Sequence, residues 1–191
     1  MVGEGRVPSV PELAVAAKVS RATAYRYFPS RSALINAVVA RSLEPVREFV
    51  PTATDGWQRL REMFDQTFPR FKEFEPHMRA ALQLSLEHGA LERAGLLEEK
   101  PFRRGFRRRL LRRAAAPLRR KLGPKGFDRL LRSLSLIYGI EPYVVLKDIW
   151  GMNDREVERL TRWVLDALIS AALRGAARQP RSEPEGRKRV A

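Results

Sequence analysis

Apolar residues recur at three- and four-residue steps along this chain as far as about Arg174, and no segment shows the period-two alternation of a half-buried strand. That single period restricts the fold to helices. With 191 residues the chain can bury a core without disulfide or metal support. It has no cysteine, which excludes disulfides, thiolate zinc sites, iron–sulfur clusters and a cysteine nucleophile. Its two histidines, His77 and His88, stand about three helical turns apart, too far to share one metal, so neither metal nor cofactor is expected. No apolar run approaches a membrane span and Met1 to Val10 has no signal-peptide core. A soluble, cytoplasmic protein is the expectation.

Helix starts are written in the sequence. Ser9-Val10-Pro11-Glu12 is a capping box with proline in the first turn, and a short helix to about Ala17 follows. Ser20 opens a second helix, ended by Phe28-Pro29. Ser30 opens a third, whose apolar positions continue through Leu34, Val38 and Val39 to Leu43 and Val46. After a linker at Pro51–Gly56, Trp57, Leu60, Phe64, Thr67, Phe68 and Phe71 form an aromatic helical stripe, interrupted at Pro76. Phe102, Phe106, Leu110, Ala114, Leu118 and Leu122 recur every four residues as the dry side of one long amphipathic helix. The next helix breaks near Gly139 and Pro142. A second capping box, Asn153 to Glu156, starts a last helix to about Arg174.

The chain carries 37 basic against 22 acidic residues, a net of +15, so an anionic partner has to be considered. Most of the excess lies in residues 102–125, which hold eleven basic side chains and no acid. The arginines there are either a solvated helix face or an anion-binding surface.

The informative segment is Ser9 to Leu34. Two short capped helices are joined by Lys18-Val19-Ser20, the spacing of a helix-turn-helix. Leu13, Ala14, Ala17, Val19, Ala24 and Phe28 supply the contact between them. The opposite side of the second helix presents Arg21, Ala22, Tyr25 and Arg26, with Thr23 in its first turn. Small and basic side chains at a helix start can reach base edges, while hydroxyls and arginines can hold phosphates.

Tyr25-Arg26-Tyr27-Phe28-Pro29-Ser30-Arg31, following this turn, resembles the end of the helix-turn-helix in the TetR family of transcriptional repressors. The resemblance covers about 35 residues and implies that double-stranded DNA is a partner. It implies that Arg21, Ala22 and Arg26 face bases and that Ser9, Thr23, Tyr25, Tyr27 and Arg31 touch the phosphate backbone. Two departures accompany it. Lys18 stands where the family usually has glycine, which carries a cost if the backbone there has positive φ. The family's first helix should precede Gly5, so the head is expected to be incomplete at its N-terminus, with Leu13, Ala17, Tyr27 and Leu34 losing cover.

The expected fold is therefore all-α. A helix-turn-helix DNA-binding head spans 1–50, a helical ligand-binding and dimerisation domain spans 51–177, and a disordered basic tail spans 178–191. Trp57, Phe64, Phe68 and Phe71 are either core or, as the resemblance implies, the lining of a cavity for a small apolar or amphipathic effector. The last helix is dry on two sides, so Trp163, Val164, Leu168 and Ile169 are expected at a homodimer interface. Two functions follow: a ligand-responsive regulator, as the resemblance implies a repressor, binding a pseudo-palindromic operator as a homodimer, or a dimeric small-molecule sensor or interaction protein whose truncated head no longer binds DNA specifically. An enzyme is not expected, because no nucleophile–base set, phosphate loop or metal cluster is visible.

Overall fold

Serine and asparagine caps mark the starts of four of the helices. The structure is a computed structural model describing residues 8–100, 102 and 106–178. Residues 1–7, the end at which the head was expected to be incomplete, lie outside the described residues, as do Arg103, Arg104 and residues 179–191 of the expected tail. Helix α1, Val10–Ala16, starts on a complete capping box: Ser9 Oγ accepts from Glu12 N at 3.3 Å and the Glu12 carboxylate accepts from Ser9 N at 2.7 Å. Helix α2, Arg21–Tyr27, is capped by Ser20, and α3, Arg31–Ser42, by Ser30. Then come α4, Glu44–Glu48, α5, Gly56–Glu73, and α6, Glu75–Ala94, with Pro76 in the first turn of α6, where its missing N–H is harmless. Helices α7, Phe106–Ala115, α8, Arg119–Ile137, α9, Ile140–Asp148, and α10, Asp154–Arg178, complete the described residues. The second capping box forms as expected: Asn153 Oδ1 accepts from Glu156 N at 3.1 Å and Glu156 accepts from Asn153 N at 2.8 Å.

Two long helices of the sequence reading are divided. The helix expected from Ser30 to Val46 stops at Ser42 and restarts as α4, whose second residue is Pro45. The amphipathic helix expected to run to Leu122 leaves α geometry at Ala116–Leu118, a 3-10 turn around Pro117, and breaks again at Gly123, where φ is 65°. The dry side survives both breaks, because Leu110, Ala114, Leu118 and Leu122 are all buried. They join Val46, Leu60, Met63, Phe64, Phe127, Leu130, Leu134, Leu165 and Ile169 in the main core. Helices α5, α7, α8 and α10 thus share one interior. The edge of α5 is stapled to α10 by Asp166, which accepts from Trp57 Nε1 at 2.6 Å and from Arg61 Nε at 3.0 Å. The Arg61 guanidinium holds the Asp166 carboxyl below the usual carboxylate range, against the opposing effect of burial.

The head has little interior of its own. Among the described residues Val10, Ala14 and Ala24, with Phe28 against them, are the cluster that joins α1 to α2, and Val19 and Ala17 are exposed. Helix α3 anchors it to the rest. Ile35 packs with Ala81, Leu84 and Phe102, and Val39 joins the same contact. Leu34, expected to lose cover, is only 4% exposed, whereas Tyr27 remains in solvent. A polar chain reinforces this contact: Ser30 and Ser32 hydroxyls lie 2.9 Å apart and Ser32 donates to Glu99. Glu99 faces His88 Nε2 at 3.4 Å, and the buried His88 accepts from Phe102 N through Nδ1 at 3.1 Å. The Ser32 hydroxyl keeps the Glu99 carboxyl below its ordinary value against burial, with Ser30 and His88 adding to the lowering.

Lys18 occupies the left-handed position of the turn, with φ of 54°. Lys18 N donates to Val15 O at 3.1 Å and Val19 N to Ala14 O at 3.0 Å, the bonding of a Schellman motif, in which glycine is the favoured residue. Lys18→Gly removes the Cβ penalty and touches no buried contact, so it is expected to stabilise the head by about 1 kcal/mol. Amide exchange from Val10 to Phe28 should slow; unchanged exchange would show that the turn carries no strain. For Glu99, a depressed carboxyl contributes stability that is present above its ordinary value of 4.5 and is lost as pH falls below it. Glu99→Gln should accordingly quicken exchange in α3 at neutral pH and match the parent chain in acid. A difference that stays constant with pH would contradict the role given to this carboxylate.

Candidate functional site

Helix α2 is short and almost bare. Arg21, Ala22, Tyr25 and Arg26 form one exposed strip on α2, with Tyr27 exposed beside it. The strip exists because Ala24 alone of this helix is buried, turning the opposite face outward. Arg21 has no acidic partner among the described residues, and the Arg26 guanidinium sits 5.3 Å from the centre of the Tyr27 ring. The structure therefore brings five of the eight expected DNA-facing residues together on one surface. The other three carry prior engagements. Ser9 Oγ donates to Glu12 Oε2 at 2.9 Å within its cap, Thr23 Oγ1 lies 2.9 Å from Ser20 Oγ, and Arg31 stands 3.7 Å from Glu87. A phosphate contact from any of these would have to compete with a bond already made.

The expected effector lining is redrawn. A cavity of about 570 Å³ lies between the head and the second region, within the range of small-molecule sites. Of the four aromatic residues expected to line it, only Phe71 does so. Phe64 is core, its ring 6.0 Å from Phe68 and 5.0 Å from Tyr138 by centroids. Phe64, Phe68 and Phe71 surround a gap of only about 10 Å³, no larger than a single water. Trp57 is held at the far edge by its bond to Asp166. The physical reason is the position of α10, whose Leu165 and Ile169 fill the space beside Leu60 and Phe64.

Besides Thr67 and Phe71 of α5, the lining comes from stretches spread between residues 36 and 140. Helix α3 contributes Asn36, Val39 and Ala40, and α4 contributes Val46 and Arg47. Met78 and Ala81 come from α6, Phe106, Arg107, Arg109 and Leu110 from α7, and Phe102 from the segment before it. The break between α8 and α9 supplies Tyr138, Gly139 and Ile140. Gly139 has φ of 146°, and a Cβ there would meet the Arg107 guanidinium at 2.1 Å, so this wall requires glycine. The Tyr138 hydroxyl lies 2.8 Å from Thr67 Oγ1, and burial pushes its pKa up to about 12, so it stays protonated. Neither histidine lines the cavity. His77 is half-buried, and burial lowers its pKa.

The expected interface residues on α10 separate into two kinds. Trp163 is 68% exposed, while Val164 and Leu168 are half-buried. Ile169 is fully enclosed by its own chain, packed with the main core, so it cannot touch a second copy and is removed from the interface set. Helix α8 lies alongside α10 and leaves Leu136 in solvent.

The comparisons bear on the first of these surfaces. Comparison with curated proteins and with solved structures gave no significant match. The family model described as bacterial regulatory proteins, tetR family, matches residues 8–38, which span α1, the Lys18 turn, α2 and the first two turns of α3. Among the described residues no strand accompanies these helices, and no helix is long and apolar enough to cross a membrane. The segment 8–38 is thus similar to the N-terminal helix-turn-helix of the tetR family of bacterial regulatory proteins, which supports a DNA-binding transcription regulator.

Proposed function

We propose that this chain is a ligand-responsive repressor that binds a pseudo-palindromic operator as a homodimer. One observation carries the ligand response: α3, which supports the reading helix, is itself a wall of the 570 Å³ cavity through Asn36, Val39 and Ala40. A molecule filling that space presses on the helix that holds the head. Two arrangements of α3 against α6 then differ in affinity for the molecule, and binding shifts the population between them. In a symmetric pair, a small rotation of each head changes the distance between the two reading helices. They fit successive major grooves only at one spacing, about one helical turn of DNA. Arg21, Ala22 and Arg26 read bases in this account, and Tyr25 and Tyr27 hold the phosphate backbone. Ser9, Thr23 and Arg31 are further backbone candidates, each after giving up its present partner.

The homodimer rests on α8 and α10, which leave Leu136 and Trp163 uncovered beside half-buried Val164 and Leu168. A large apolar side chain in solvent on each of two adjacent helices is what a self-complementary interface would cover. The site is reached from the cytoplasm in this reading, where the operator is.

Arg21→Ala and Arg26→Ala should each cost about 1–3 kcal/mol on the specific operator and relax base preference. Tyr25→Phe should weaken binding to all sequences alike. Titrations against operator and scrambled duplexes at fixed salt separate the two kinds of loss. Identical, sequence-independent losses for all three variants would overturn the assigned roles. In sedimentation, the parent chain should run at twice its 21.9 kDa mass and Trp163→Glu should shift it toward monomer, since a carboxylate would have to be desolvated in the interface. A parent chain that sediments as a monomer would sink the symmetric reading.

A further inference from the structure

The cavity is apolar at its buried end and cationic at its rim. Met78, Ala81, Phe102, Leu110 and Ile140 form buried apolar walls. The polar pair in this interior offers no donor. Thr67 Oγ1 gives its one proton to Met63 O at 2.7 Å, so the Tyr138 hydroxyl must donate to Thr67, 2.8 Å away. A carboxylate or phosphate placed there would be desolvated and unpaired, which is strongly unfavourable.

The rim is the reverse. The Arg47 and Arg109 guanidiniums lie 4.8 and 4.7 Å from the centre of the same Phe106 ring, and both side chains are exposed. Neither has an ion-pair partner among the described residues. Arg107, the third arginine of the wall, is spent: it donates to Ser135 O at 3.0 Å and pairs with Glu141. Two cations held at one ring without an acid make this end of the cavity electropositive, and an anion bound there is attracted by both and gains charge-assisted hydrogen bonds.

We propose that the effector is an amphiphile with an anionic head, its carboxylate or phosphate bound at the rim by Arg47 and Arg109 and its apolar body filling the buried end of the cavity. This rests on the reading of the cavity as the effector site. It adds a sign of charge and an orientation. The orientation also places the apolar body against Val39 of α3, so chain length governs how far the head helix is displaced.

Calorimetric titration of the full chain with dodecanoate, dodecyl phosphate, dodecanol and dodecyltrimethylammonium, all below micelle formation, tests it. At least one of the two anions should bind about tenfold or more tighter than the alcohol, and the cation weakest. Which anion binds tighter identifies the head group. In Arg47→Gln/Arg109→Gln the preference for anion over alcohol should disappear, with dodecanol affinity unchanged. Arg109→Lys, which keeps the charge, should retain most of the preference. Arg108→Gln/Arg120→Gln, which alters exposed arginines outside the cavity, should leave all four affinities unchanged. Equal binding of dodecanol and the anions would overturn the anionic head while leaving the effector cavity intact. Binding of none of the four would overturn both readings. An anion preference lost equally in the Arg108/Arg120 variant would assign it to the general positive charge of the surface and likewise overturn the proposal.

Discussion

Everything the head does depends on the burial of one side of α3. Val10, Ala14, Ala24 and Phe28 are too small a cluster to hold two seven-residue helices, which are marginal in water without packing partners. Ile35 and Val39 against Ala81, Leu84 and Phe102 supply the missing support, and the Ser32–Glu99–His88 chain fixes its register. The same helix therefore serves two masters: its N-terminal half steadies the DNA-reading surface, and Asn36, Val39 and Ala40 border a cavity. Because interiors are close-packed, a change of content on one side of such a helix is felt on the other.

Charge is distributed so that this arrangement is tolerated. The basic residues of α7 and α8 lie mostly on the solvent side, leaving Leu110, Leu111, Ala114 and Ala115 to the core. Where arginines do turn inward they are given a task. Arg107 closes over Gly139 and joins α7 to the break between α8 and α9, and Arg79 and Lys147 tie α6 to α9 and the start of α10 through Glu75, Asp148 and Asp154. At Phe106 two guanidiniums share one ring with no ion-pair partner among the described residues, and that is the rim of the cavity.

The helices were legible where their information is local. Ser9, Ser20, Ser30 and Asn153 cap what their spacing says they cap, and Lys18 adopts the left-handed backbone that the turn demands. The helix-turn-helix strip Arg21–Arg26 was legible for the same reason, since one face of a short helix is fixed once Ala24 is known to be inside. Breaks inside a continuous apolar period were harder. A four-residue repeat from Phe102 to Leu122 fits one helix as well as the two segments and 3-10 turn that exist, because Pro117 and Gly123 act on the backbone without disturbing which side is dry. The cavity was not legible. Its walls come from segments more than a hundred residues apart, and an aromatic stripe looks identical in sequence whether the space opposite is empty or filled by Leu165 and Ile169. The one local hint was Phe106 with Arg109 three residues on, which puts a ring and a cation on the same side of a helix.

The three indoles of the chain occupy three different environments, and this gives the protein its own optical labels. Trp57 is half-buried with its N–H bonded to Asp166, while Trp150 is 73% exposed in the turn after α9 and Trp163 stands outside α10. Emission from the folded chain is therefore weighted toward hydrated indoles, at long wavelength, and complete unfolding changes its colour little. Total intensity follows the core poorly. The environment of residue 163, by contrast, can change only when something covers the outer side of α10, so a blue shift that grows with protein concentration reports assembly rather than folding.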